Sequence, residues 1–546
     1  QRLVDRYYAG LDAVVDPATG QTTCRINLPG ETIIDPNNYA GILTIGGVPA
    51  SGEPLSFKPG ECVPLNILGT NVASNEGKAF AFVDDTTIGR STQNVVTANF
   101  SGDLGFAFSL PGGPIGFSIG AEYREESTSS TPSTFQIGGL LDGGAQVLPS
   151  GGSFNVKEIY GEINIPLLND VPWAENLSFG GAIRYSDYST VGGTTTWMVN
   201  GTWSPVKDIS FRATLSSAVR APNVTELFNP LQGTFEFLED PCDPQNLPEG
   251  TEFRAANCEA ALTGAGLSAV EIANFSPSTD AEQSTAQAGL SGGNPNLGAE
   301  TADTWTAGIV LRPRFIPGLT ITADWYDINI SNAINTPDVN EVFKLCVDAA
   351  SLDNVFCSSF ERAPGTGFIR NFVVQSQNVA AFTTSGLDFT INYAFSPSPK
   401  WGNFNFRLVG GYLNDLSFTA AIGGAPEQQR NRIYRPTYVG LMDLTWNLGD
   451  LTLNYGLSWQ GKTQRFTTIQ VEANPDIAAP EYLTYKERWE HDIQANYQIT
   501  DDFSVYGGIN NFTNQQPDFA TTFGYPVSVR GRYFYFGARV QLPTLF

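Results

Sequence analysis

The chain has 546 residues, a formal net charge of −25 and a pI near 4.4, a balance that repels phosphates and argues against nucleic-acid binding. Hydrophobic residues make up 41%, yet no run of about 18 apolar residues occurs, so a membrane-spanning helix is excluded. Glycine (56) and aromatics (12%) are abundant without any shift in composition that would divide the chain, which suits many short strands in an all-β fold.

Residues 1–93 lack sustained alternation and carry seven prolines between Pro17 and Pro64. So long a loop is out of place at the front of a compact domain, but not outside a barrel. From Asn94 a period of two sets in. It predicts strands over 94–108, 115–124, 157–165, 177–185, 194–203, 209–216, 304–311, 319–330, 387–395, 404–413, 438–446, 451–459, 488–497, 503–509 and 532–542. The hairpin at 438–461 shows the pattern most clearly. Leu451, Leu453, Tyr455, Leu457 and Trp459 take one face, and Thr452, Asn454, Gly456, Ser458 and Gln460 the other. Gly449 supplies the tight turn, and Trp446 and Trp459 end the apolar rows, where a membrane interface favours aromatics. Within the long connection before residue 382, Pro337–Ala350 predicts a helix capped by Asp338.

The connections alternate by parity. Those at 110–114, 169–176, 204–208, 312–318, 396–403, 447–450 and 499–502 are short. Those between are mostly long, the longest at 218–301. All tight turns at one rim and long loops at the other is the pattern of an antiparallel up-and-down transmembrane β-barrel, with periplasmic turns and extracellular loops. The apolar rows then meet lipid. The polar rows, with Arg124, Arg184, Arg212, Asp388, Arg407, Asp492 and Arg539, line the lumen, where charges are solvated or paired with one another.

The six cysteines fall in the long connections as near neighbours: Cys24 with Cys62, Cys242 with Cys258, Cys346 with Cys357. Six cysteines allow 15 pairings, and proximity favours these three as disulfides of an oxidising compartment. Without CxxC spacing, and with His491 as the single histidine, a zinc set is not expected. Glu239, Asp240 and Asp243 offer oxygen ligands for a structural Ca²⁺ but lack EF-hand spacing; no other cofactor is expected. Phe228, Phe235, Phe237, Phe253, Phe275, Phe360 and Phe368 either pack the loops or stack on a ligand. No nucleophile–base constellation points to an enzyme.

At Arg220–Pro230, RAPNVTELFNP, and again at Asn294–Gly308, NPNLGAETADTWTAG, the chain resembles TonB-dependent outer-membrane receptors. Arg220, Pro222, Glu226, Leu227, Phe228 and Pro230 carry the first motif; Asn294, Pro295, Leu297 and Glu300 carry the second. The last strand, GRYFYFGARVQL, is similar to the carboxy-terminal signal read by the barrel-assembly machinery. The resemblance implies a bacterial outer-membrane barrel of about 22 strands, of which about 15 are present in this chain, with a plug in the lumen. Residues 94–546 are then the carboxy-terminal part of the barrel, and residues 1–93 a long extracellular loop region. The plug, the energy-coupling box and about seven strands are expected in a companion chain, the receptor being split in an external loop. The further partners implied are the TonB complex, outer-membrane lipids and a surface lipoprotein. The implied function is active import of a siderophore, cobalamin, an oligosaccharide or a peptide. A passive porin and a surface scaffold or adhesin are the alternatives.

Overall fold

The computed structural model of the chain describes residues 1–29, 56–58, 60–141, 147–419, 426–467, 470–471, 474–518 and 525–541. Fifteen long strands follow one another in a single sheet whose spatial order is their chain order. They are β1 Ile88–Asp103, β2 Gly116–Thr131, β3 Ser150–Val171, β4 Ala174–Tyr188 and β5 Gly192–Val206. Next come β6 Ile209–Arg220, β7 Glu300–Leu311, β8 Leu319–Asn335, β9 Gln377–Phe395 and β10 Asn403–Thr419. The last five are β11 Tyr438–Leu448, β12 Leu451–Gln460, β13 Arg488–Thr500, β14 Phe503–Asn510 and β15 Tyr533–Val540. A short strand, Glu427–Gln428, pairs β10 off this path. Every neighbouring pair is antiparallel, so β1 and β15 run in the same direction. They are the two ends of the sheet order, and among the described residues each pairs with one neighbour only.

The expected strand count and the parity of the connections both hold, with most strands longer than their apolar alternation; the last, expected over 532–542, is shorter, Tyr533–Val540. Only about 9–11 residues per strand cross the hydrocarbon layer, and only there does lipid demand an apolar row. Beyond it the backbone keeps pairing with polar side chains. Ser127–Ser130 and Ser150–Ser153 continue the β2–β3 ladder, with Ser130 opposite Ser150. β1 likewise starts at Ile88, inside the stretch read as loop to residue 93. The first short connection is wider than expected, 104–115, because it holds its own hairpin of Ser109–Leu110 with Gly113–Pro114. At the opposite end Leu542 and Phe546 lie outside the described residues.

Both rims carry aromatic girdles. At the short-turn rim the Trp203 indole donates to the Trp173 carbonyl (2.9 Å) and that of Trp446 to the Trp401 carbonyl (2.7 Å). Phe395, Phe404 and Trp446 stack across three strands. Asp208 and Arg314 join neighbouring turns there (2.9 Å), and the guanidinium holds the carboxyl below its ordinary range. At the long-loop rim Tyr412, Tyr438, Trp459 and Trp489 form a ladder over β10–β13 with centroids 5.2, 6.4 and 5.7 Å apart. At about 3.3 Å per residue and a tilt near 40°, Tyr438 and Trp446 stand roughly 20 Å apart along the normal, close to an apolar band of ~25 Å. Between the girdles, apolar-row residues such as Phe100, Ile119, Ile163, Phe179 and Phe536 are exposed, which is tolerable against lipid and not in water.

The amino-terminal residues pack at the long-loop rim. Helices Val4–Leu11 and Asn75–Ala81 flank a small core of Ala9, Phe57, Phe80 and the Cys24–Cys62 disulfide. Leu3 bridges to Leu141 in the β2–β3 connection, and Asp85 accepts from Ser133 and Gln136 there. The helix expected within Pro337–Ala350 is Val339–Asp348, its first turn capped by Asp338.

Candidate functional site

The two sequence motifs meet where the longest connection leaves and re-enters the sheet. β6 ends at Arg220. Asn223 then caps helix Val224–Phe228, with Glu226 returning its carboxylate to the Asn223 amide in a capping box. That places Glu226 against Arg220 at 3.1 Å. Seventy-odd residues later Glu300 opens β7 in register with Arg220 and takes the same guanidinium at 2.6 and 2.8 Å. Glu300 also accepts the Ile334 amide of β8 (2.6 Å). The returning chain is tied back by the Asn294 amide on the Glu226 carbonyl (2.8 Å) and by the Asn294 side chain on Ser376 (3.0 Å). Leu227 and Leu297 are buried beneath, as is Pro222, while Pro295 is exposed. Phe228 lies over Gly152 of β3, where a Cβ would fall 2.2 Å from its ring; Pro230 presents its carbonyl to Gly292 in the same manner. The sequence marked these residues as a family signature without showing the Arg220–Glu226–Glu300 triad. Its signal was the single cation beside two carboxylates flanking a loop whose ends pair.

Several charges of the polar rows are paired with one another, within a strand or across the sheet. Arg124 meets Glu126 at 3.0 Å and Glu122 at 3.9 Å. Arg184 meets Glu158 at 3.0 Å and lies 4.7 Å over the Tyr160 ring. Glu122, Arg124, Glu158, Tyr160 and Arg184 line an open cleft of about 500 Å³ with Ser186 and Tyr188. Arg212 reaches Asp324 across Gly308, the residue in register between them; a Cβ there would strike the Asp324 carboxylate. Asp388 stands opposite Asp324, and Arg407 opposite Asp443. Asp492 accepts the Asn511 amide (2.7 Å). Among the described residues Arg407 and Arg539 enter no ion pair.

Above β6–β9, connections 221–299 and 336–376 fold together. Strand Gln232–Glu236 pairs antiparallel with Gln287–Gly292, which pairs parallel with Val373–Gln375 of the other connection. One core takes Leu262, Leu267 and Phe275 from the first and Val342, Phe343 and Phe372 from the second. Disulfides Cys242–Cys258 and Cys346–Cys357 border it, as proximity suggested. Two buried ion pairs run in opposite senses between the connections. Arg254 of the first holds Asp348 of the second; Arg362 of the second holds Asp240 of the first (2.8 Å).

This arrangement occupies the acidic residues considered for Ca²⁺. Asp240 is committed to Arg362, Asp243 accepts the Gln245 and Ser278 amides, and Glu239 faces Lys344 at 3.7 Å. An ion would have to displace Arg362, and no group of three metal-ligating side chains converges among the described residues. Burial in the same body raises the Glu341 carboxyl above its ordinary value, against the pull of Lys344. Of the loop phenylalanines, Phe275 is in the core, Phe360 packs on Phe343, Phe368 on Phe275 and Phe228 on Gly152. Phe235, Phe237 and Phe253 are exposed.

The family described as "TonB dependent receptor-like, beta-barrel" matches residues 64–512. Among solved structures the chain is similar to a mutant of the ferric enterobactin receptor PfeA from Pseudomonas aeruginosa, at 16% identity and a TM-score of 0.52, covering 82% of this chain and 54% of that one. It is also similar to the siderophore receptor PirA from Acinetobacter baumannii, at 17% identity and a TM-score of 0.52, covering 86% and 57%. The chain therefore spans about half the length of the receptors whose fold it shares. No curated protein matches it. With its sheet, its parity of connections and this match in agreement, the chain belongs to the TonB-dependent receptors of the bacterial outer membrane, as part of their β-barrel.

Proposed function

We propose that the chain is the carboxy-terminal portion of an active outer-membrane importer. Its external loops bind a scarce solute, of the siderophore, cobalamin, oligosaccharide or peptide class. A plug carried elsewhere in the receptor rearranges, and TonB supplies the energy. The observation that carries this is the parity of the sheet: β1 and β15 run the same way, so antiparallel closure needs an odd number of further strands between them. Bare strand edges in lipid cost several kcal/mol for each unsatisfied group, so those strands must be present in the membrane. We place them, with the plug, in a companion chain cut from the same receptor within an external loop, where nicking concentrates. Residues 1–93 then begin on the outside, consistent with their packing on the β2–β3 connection.

Denaturing electrophoresis of the native protein, isolated with cleavage inhibitors absent throughout, tests the split. We expect a ~59 kDa band, the mass of this chain, beside a companion. A single larger band contradicts the split but not the importer. Planar-bilayer conductance of the assembly separates importer from porin: large steady currents favour the porin. Growth of a deletion strain on a limiting nutrient separates importer from scaffold, since loss of growth contradicts a display role.

A further inference from the structure

The three-stranded sheet of the external body ends in an open edge. Strand Gln232–Glu236 is outermost, with Gln287–Gly292 on one side and, among the described residues, no strand on the other. The ladder fixes which of its groups are free. The Leu290 amide donates to the Phe372 carbonyl (2.9 Å), away from Gln232–Glu236. Leu290 is opposite Gly233, so that pair is the non-bonded kind, and Gly233 and Phe235 turn their N–H and C=O groups to the open edge. Exposed edges are normally blunted by Lys, Pro or a bulge, and this strand has none of these.

The side chains divide by face. Leu231, Phe235 and Phe237 are 40%, 43% and 70% exposed, on the face that Leu290 shares at 39%. The other face of the sheet rests on the core, where Gly289 leaves room for the Phe372 ring. The charge around them is one-sided. Connections 221–299 and 336–376 hold 16 acidic residues against 4 basic, and two of those four, Arg254 and Arg362, are buried in ion pairs. Glu239 and Glu282, 67% and 72% exposed, face the other two, Lys344 and Arg370, so all four cations are matched and the excess of carboxylates remains.

We infer that this edge binds an extended cationic peptide as a fourth strand. Gly233 and Phe235 supply the main-chain hydrogen bonds, apolar side chains of the peptide cover Phe235 and Leu290, and the intervening basic ones meet the acidic surround. The site does not depend on transport, so it stands or falls apart from the importer reading.

The probe is a fluorescein-labelled octapeptide of alternating Lys and Val, titrated by anisotropy into the whole detergent-solubilised protein at low salt. Its controls are a Glu–Val octapeptide and a Lys–Val octapeptide methylated on alternate backbone nitrogens. We expect saturable binding of Lys–Val alone, weakened by salt. G233P removes one outward N–H without touching the internal ladder, and a Cβ at Gly233 meets nothing within 4 Å. It should weaken binding about tenfold, near the upper end for one hydrogen bond, while G233A leaves it unchanged. Absence of Lys–Val binding, equal binding of the Glu–Val or methylated peptide, or indifference to G233P in a variant with unaltered circular dichroism overturns the inference.

Discussion

Arg254→Ala should loosen both long connections at once. Arg254 is 2% exposed, donates Nε and Nη2 to Asp348 and Nη1 to the Asn246 carbonyl (2.6 Å), and lies flat over Gly250. Removing one partner of a fully buried pair costs about 3–5 kcal/mol, because the other charge is left without compensation. Asp348 keeps the Thr251 amide at 3.2 Å and its side chain is 21% exposed, so the cost here falls to roughly 2–4 kcal/mol. That is an increase in opening of roughly 30- to 700-fold. Native-state hydrogen exchange in detergent micelles reads it. Because Asp348 sits on the helix carrying Phe343 and Val347 into the shared core, protection should fall in 254–275 and 339–372 together. The β7–β8 hairpin that separates them in sequence should be unchanged. Faster exchange in the Arg254 connection alone would refute a jointly folded body.

Gly152→Ala should displace Phe228 and cost about 1–3 kcal/mol of overpacking, read as faster exchange over 224–230. Gly161→Ala in the same strand, where the nearest atom is 3.9 Å away, should be silent; equal effects would argue against the Phe228 seat. Glu341 has a raised folded pKa, so its folded form binds protons the unfolded form has released. Its stabilising contribution is complete below the unfolded value near 4.3 and is lost as pH rises through the interval up to the folded value. Glu341→Gln should therefore match the wild type near pH 4 and protect the external body better at pH 7. A difference of the same size at both pH values would contradict burial as the cause. Gly308→Ala should break the Arg212–Asp324 pair, since its Cβ would overlap the Asp324 carboxylate. The loss is small for so exposed a pair and is best read as a changed cation selectivity of the residual pore; unchanged selectivity would count against that pair facing the lumen.

The membrane-facing half of the molecule was legible in the sequence because lipid imposes a local rule on every strand. Leu451–Trp459 obeys it residue by residue, and Gly449 takes the left-handed conformation its turn requires, with φ at +56°. Where strands rise into water the rule lapses, so Ser127–Thr131 read as loop although it is paired. The external body was legible only in fragments: the Asp338-capped helix and two nearby cysteine pairs, each a short-range signal. Its core was not, because Phe275 meets Phe368 and Arg362 meets Asp240 over about a hundred residues with no periodicity to announce them. Asp240, one of the oxygen donors considered for Ca²⁺, is held by the Arg362 guanidinium of the other connection, a partner 122 residues away. The Arg220–Glu226–Glu300 triad shows the same limit, for the motif residues were visible and their convergence was not.

The most direct measurement is thiol accessibility along β12. All six native cysteines are paired, so an introduced cysteine is the sole free thiol. Single replacements of Leu453 through Ser458, reconstituted in liposomes, are labelled with a membrane-impermeant maleimide and, separately, with a lipid-soluble one. The expected result is strict alternation: the water-soluble reagent reaches positions 454, 456 and 458, and the lipid-soluble one 453, 455 and 457. Uniform labelling, or protection of 453, 455 and 457 from both reagents as in a packed protein core, would contradict a strand with lipid on one face and the lumen on the other.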